Sequence, residues 1–287
     1  MLREVGKIYS RAFRMIFQHP QFLLLSVGFE LVNRLNSYIA SQLRTLNAIG
    51  MRCAALEISL FGNLVSLAIF IGVPLAFILM VYRIERGDDL KDVFQQTKQN
   101  FWKFVRQSFA GFLLALAYTL PVFCLALFSV FMDSALFVTI FIPSWLLVFG
   151  FLGYGSISLG QRILLDNRQG SFQNSLRGFR ILNGNFLFFA TIYLIDTLIS
   201  VFFFPFRYAI GSLVTGVDLF SVPISSFSLF LNNIYTATQT PLVYVWDFIY
   251  GLIILPFFAI IPTLAYLRFK DFDASRFSRR RTLTTEN

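Results

Sequence analysis

The sequence predicts an all-α polytopic membrane bundle: six transmembrane helices arranged as three helical pairs, with amphipathic interfacial helices on the cytoplasmic face. Three observations predict it. Apolar residues fill 56% of the 287 positions and charged residues only 14%, where a soluble domain is roughly a quarter charged. The apolar residues gather into long runs, each close to or above the ~20 residues a helix needs to cross hydrocarbon. Lys and Arg fall almost wholly on alternate connections between those runs. With a mean hydropathy of +0.68 and 37 phenylalanines, the chain carries more bulky apolar surface than one water-soluble core can hide. Lipid is the solvent this composition implies.

The runs follow in order. Residues 22–40 are the first, interrupted by Glu30 and Arg34. Residues 58–82 hold no ionisable group but Tyr82, and 109–131 and 134–160 hold no charge. Residues 181–206 hold only Asp196, and 241–267 only Asp247. Pro74, Pro121, Pro143, Pro256 and Pro262 lie inside runs, which lipid-embedded helices tolerate as kinks. A transmembrane barrel would need alternating segments of about ten residues, and none is seen.

Twenty of the 24 Lys and Arg lie before the first run, between the second and third, between the fourth and fifth, or after the sixth. Arg34, Arg44, Arg52 and Arg207 are the exceptions. By the positive-inside bias both termini are expected in the cytoplasm, the membrane being the bacterial cytoplasmic (inner) one. No short apolar core leads to a cleavage site at the start, so the first run is expected to act as an uncleaved anchor.

The chain reads as one integral membrane domain, 1–287, of repeat-like units about 1–88, 89–168 and 169–273, with a basic cytoplasmic tail at 274–287. Each unit has an amphipathic lead-in, a span out, a span back and a closing arginine: Arg83, Arg162 or Arg268. Aligning Pro20, Asn100 and Asn185 superimposes the lead-ins. In the first lead-in Val5, Ile8, Ala12, Phe13, Ile16 and Phe17 recur at helical spacing, while Arg3, Lys7, Arg11 and Arg14 occupy another face. Such a helix lies in the interface with its cations near anionic headgroups. An ordinary lead-in to a spanning helix reads the same way. Phe172, Leu176 and Phe179 repeat the pattern in the third unit. The outer segment 207–240 is too apolar for a solvated loop and is expected to cap the bundle.

Catalytic and cofactor signatures are scarce. There is no GxxxxGK[ST] and no HExxH. Cys53 and Cys124 lie far apart, and His19 is the single histidine, so no metal ligand set and no Ser–His pair is in view. "GYGSISLG" at 153–160 lacks G-x-S-x-G; its small residues favour close helix approach over catalysis. No enzyme activity, cofactor, metal or nucleic-acid partner is expected, despite the net charge of +9. The basic "SRRRTLTTEN" tail fits topology control, with lipid binding or modification as the other readings.

The lead-in "AFRMIFQHPQFLLL" and the paired runs resemble uncharacterised bacterial six-span membrane proteins. They are also similar to the membrane domain attached to some glycerophosphodiester phosphodiesterases. The phosphodiesterase catalytic domain has no counterpart in this sequence, so the resemblance implies an architecture and not that activity.

The charged residues inside runs are the candidate site. Each costs ~2.5–3.5 kcal/mol at mid-bilayer on insertion scales, so such residues default to functional candidates. At 1.5 Å per residue, Glu30 lies roughly 15 Å beyond Pro20 and Asp196 roughly 16 Å beyond Asn185. Arg34 is one turn above Glu30 and in the favourable i,i+4 order. Glu30, Arg34 and Asp196 are therefore expected to form a shared intramembrane polar cluster. Asp247, roughly 31 Å from the inner edge on the same rise, is expected at the outer interface beside Trp246. Two functions follow. One is a non-enzymatic protein that engages membrane lipid, especially anionic lipid, through Arg3, Lys7, Arg11 and Arg14 and supports membrane organisation or an assembly. The other is a small transporter or permease subunit with Glu30, Arg34 and Asp196 lining its path.

Overall fold

The structure is a computed structural model. It describes residues 1–48, 52–131, 135–166, 170–216 and 240–284, with side chains at 1–35, 68–125, 144–166, 170–200, 203, 206, 207, 209–216 and 240–270. Among these residues it is 93% helix, with no strand. The elements are α1 (Leu2–Gln18), α2 (Gln21–Ala48), α3 (Arg52–Arg86), α4 (Val93–Phe131) and α5 (Ala135–Gly153). A π-helical turn (Tyr154–Leu159) leads into α6 (Gly160–Asp166). Then come α7 (Ser171–Gly184), α8 (Phe186–Thr215) and α9 (Pro241–Thr284).

Among the described residues three helical segments are long and apolar enough to cross a membrane: Ala68–Arg86, Val93–Leu125 and Pro241–Lys270. The number rises to five if each of two bent pairs is one span, α1 with α2 (82°) and α7 with α8 (98°). Both bends have local causes. Pro20 lacks an N–H and restricts His19 before it, while Asn185 leaves the helical region at φ −131°, ψ 39°. The lead-in of the second repeat-like unit behaves otherwise: Asn100 lies inside an unbroken α4, whose stretch from Val93 to the apolar run contains neither Pro nor Gly. Pro74 and Pro121 likewise sit within α3 and α4. The expected outer segment is in part helix, since α8 continues through Arg207 to Thr215 and stops at Gly216 (φ +68°). The rest of it, 217–239, lies outside the described residues, as do the side chains of Cys53, Arg44, Arg52 and the basic tail.

The chain divides into two compact units. The first comprises 1–12, 71–193 and 259–287. Its core is lined by Leu75, Phe77, Phe104, Leu159, Ile163 and Leu182, each at most 2% exposed. Small residues let its helices close up: a Cβ at Gly178 would stand 2.2 Å from the Gly155 carbonyl oxygen, and one at Gly111 2.7 Å from that of Ser156. The Ser156 hydroxyl donates to the Gly111 carbonyl at 2.8 Å. The stretch 153–160 thus serves close helix packing, and its π turn re-aims Ser156 toward α4. Arg162, read from the sequence as a closing arginine of a repeat-like unit, is only 2% exposed. It donates to the Thr263 hydroxyl (3.1 Å), the Ala259 carbonyl (3.1 Å) and the Ser158 hydroxyl (2.8 Å). Sequence position made it a topology signal, whereas the fold uses it as an internal clamp.

The second unit comprises 13–70 and 194–258, chiefly α2, the first part of α3, the later part of α8 and the first part of α9. It holds the charged residues of the candidate site.

Candidate functional site

Three helices of the second unit bring four charges together. Glu30 and Arg34 sit one turn apart on α2, with Arg34 Nη2 3.9 Å from Glu30 Oε2. Asp247 on α9 lies 3.6 Å from the same nitrogen. Arg207 on α8 completes the chain, 3.0 Å from Asp247 Oδ2. The order Glu30–Arg34–Asp247–Arg207 alternates in sign and sums to zero. Arg34 also stands 5.1 Å over the Tyr244 ring, a cation–π contact.

These residues line a cavity of about 320 Å³ together with Asn33. Its apolar wall is aromatic: Phe203 lies 5.4 Å from Trp246 and 4.7 Å from Tyr250, centroid to centroid. Helical spacing builds this wall, since Phe203 precedes Arg207 by one turn and Trp246 precedes Tyr250 by one turn. Glu30, 9% exposed, fits only because Gly251 faces it. A Cβ there would stand 2.0 Å from Glu30 Oε1 and 2.5 Å from its Cδ. The Nε atoms of Arg34 and Arg207 are buried without an acceptor among the described residues.

Of the expected cluster, the structure brings together Glu30 and Arg34. Asp196 is buried at 7% exposure on α8, eleven residues before Arg207, and is not among the residues lining the cavity. The carboxylate that joins the Glu30–Arg34 pair is Asp247, which sequence reasoning placed at a wet outer edge. Arg207 was read as part of the outer segment. Counting residues from a helix end gives a height but not the face that meets a neighbour. The available signal was that Arg34 and Asp247 are both displaced outward from Glu30 and Asp196.

The basic N-terminal helix is also placed. Val5, Ile8, Ala12, Met15 and Ile16 of α1 are buried against the protein itself, while Phe13 (53%) and Phe17 (59%) remain exposed. Lys7 pairs with Glu4 at 3.3 Å and Arg11 with Glu85 at 2.7 Å. Arg3 and Arg14 are exposed and have no ion-pair partner among the described residues. No group of three or more His, Cys, Asp or Glu suited to a metal occurs among the described residues. Compared with known protein families, with curated proteins and with solved structures, the chain matches none.

Proposed function

We propose that this is a non-enzymatic six-span protein of the bacterial cytoplasmic membrane, with both termini inside, that engages anionic lipid through α1 and supports membrane organisation or an assembly. The observation that carries this reading is the exposed edge of α1. Arg3 and Arg14, without a carboxylate partner among the described residues, stand on the same helix as exposed Leu2, Phe13 and Phe17. Cations beside bare aromatic and aliphatic side chains match the interface, where the rings reach the acyl boundary and the charges meet headgroup phosphates. The rest of the apolar face is occupied by protein, which fixes the helix for that task. The expected outcome is that full-length protein purified in mild detergent retains anionic lipid above its share of the membrane. Arg3→Gln/Arg14→Gln, or high salt, should reduce that excess. Equal retention by wild type and double variant at low salt would sink the reading.

A second reading is favoured by the four-charge cavity: a small transporter or permease subunit. Two carboxylates, two guanidinium groups and an aromatic wall fit a small solute carrying both charges. Proteoliposome uptake of such solutes, lost in Asp247→Asn without loss of folding, would favour it over the lipid role.

A further inference from the structure

A second cavity, of about 860 Å³, lies wholly within the first unit. Arg83 and Arg86 at the end of α3 and Lys103 and Arg106 on α4 line it, against one carboxylate among the described lining residues, Asp88. Gln96, Gln99 and Asn100 continue the α4 side. Positions 96, 99, 100, 103 and 106 fall at helical spacing, so α4 turns one unbroken polar stripe into this space.

The four cations are not equivalent. Asp92 lies 3.6 Å from Arg83, and Asp166 lies 3.3 Å from Arg86. Those carboxylates offset two charges and hold the two guanidinium groups in place. Lys103 and Arg106 have no ion-pair partner among the described residues. Gly170 and Ser171, the start of the 14-residue α7, also line the cavity. Gly170 has no side chain to cap that helix, and no side-chain cap bond is made. The first-turn N–H groups and the positive end of the helix dipole therefore lie at the cavity. A helix start alone would not make a site. Here it adds to two held arginines, two uncommitted cations and a row of amide side chains around one space.

We infer that this cavity binds a phosphate group, carried either by a lipid headgroup or by a soluble phosphate compound. Guanidinium groups and uncapped N–H groups supply directed donors to phosphate oxygens, and Lys103 supplies a mobile point charge. The amide side chains of the stripe hydrogen-bond whatever polar group the phosphate carries. The lipid form of this inference rests on the proposed lipid-engaging role; the soluble form does not.

The test uses full-length protein in nanodiscs of phosphatidylcholine, titrated calorimetrically with inorganic phosphate and with glycerol phosphate. A parallel arm measures retention of phosphatidic acid by native mass spectrometry. Saturation by the soluble probes assigns the site to a soluble compound; retention of phosphatidic acid alone assigns it to a headgroup. In either arm Lys103→Gln/Arg106→Gln should weaken binding roughly tenfold or more, two charge-assisted contacts being lost. Asp88→Asn should strengthen it by roughly two- to fivefold, the span of an exposed charge interaction. That gain cannot come from misfolding. Arg3→Gln/Arg14→Gln should leave binding unchanged, which separates this site from the α1 edge. Absence of saturation by any of the probes, or wild-type affinity in Lys103→Gln/Arg106→Gln, overturns the inference.

Discussion

Glu30 is accepted within an apolar run because of two neighbours: Arg34 one turn away, and Gly251 on α9, which leaves room for its carboxylate. Gly251→Ala should therefore destabilise the protein through Glu30 and not through the helix, since alanine is the better helix former. A Cβ 2.0 Å from Oε1 must push the carboxylate away from its notch. An overpacking cost of about 1–3 kcal/mol is expected. In a Glu30→Ala background the same substitution should be neutral or stabilising, because the clash is gone. Unfolding midpoints of the four variants in detergent check the coupling; equal effects of Gly251→Ala in both backgrounds would refute it. The Glu30–Arg34 pair was legible in the sequence, because i,i+4 spacing on a helix fixes a contact whatever surrounds it. Asp247 and Arg207 were not, because their meeting depends on how α8 and α9 turn their faces.

At the scale of elements, α1 shows how an amphipathic pattern can be read correctly and still leave its partner open. Period and polarity identify the helix, but the same apolar stripe serves lipid or protein. Here protein takes Val5, Ile8 and Ala12, and the ion pairs Glu4–Arg268 and Arg11–Glu85 hold the helix at its start and middle. Glu4 receives the Lys7 ammonium and the Arg268 guanidinium, which together hold its carboxyl below the ordinary value of 4.5. A depressed carboxylate contributes stability above its unfolded value and loses it as pH falls through the lower folded value. The difference in unfolding midpoint between wild type and Glu4→Gln should thus be constant from neutral pH down to about the ordinary carboxylate value, then shrink on further acidification. A difference that grows on acidification would remove Glu4 from the docking of α1. The three lead-ins differ in their backbone. Pro20 and Asn185 mark bends because each breaks the backbone pattern, while nothing around Asn100 does, so α4 runs straight from lead-in into span.

At the scale of the whole molecule, the apolar runs read from the sequence fall in helices wherever the chain is described, save for the break at Asn185. What the pattern does not fix is how many of them cross. Helices of 39 and 44 residues, α4 and α9, run roughly 58 and 66 Å at 1.5 Å per residue, about twice the hydrocarbon thickness. By length and composition the apolar parts of α3, α4 and α9 suffice for a crossing, the runs in α2 and α8 belong to the two bent pairs, and part of the run in α5 lies outside the residues whose side chains are described. Parity decides among the counts. Three or five spans put the termini on opposite sides of the membrane; six put them on the same side. The distribution of Lys and Arg favours six with both ends inside, because basic residues cluster at both ends and at alternate connections. Single cysteines placed near each terminus, in a chain with Cys53 and Cys124 replaced by serine, should resist a membrane-impermeant maleimide in intact cells. Both should react once the membrane is opened. A third cysteine at residue 216, following the 30-residue α8, should react from outside in intact cells. Labelling of one terminus alone in intact cells would make the span count odd and remove the three-pair architecture.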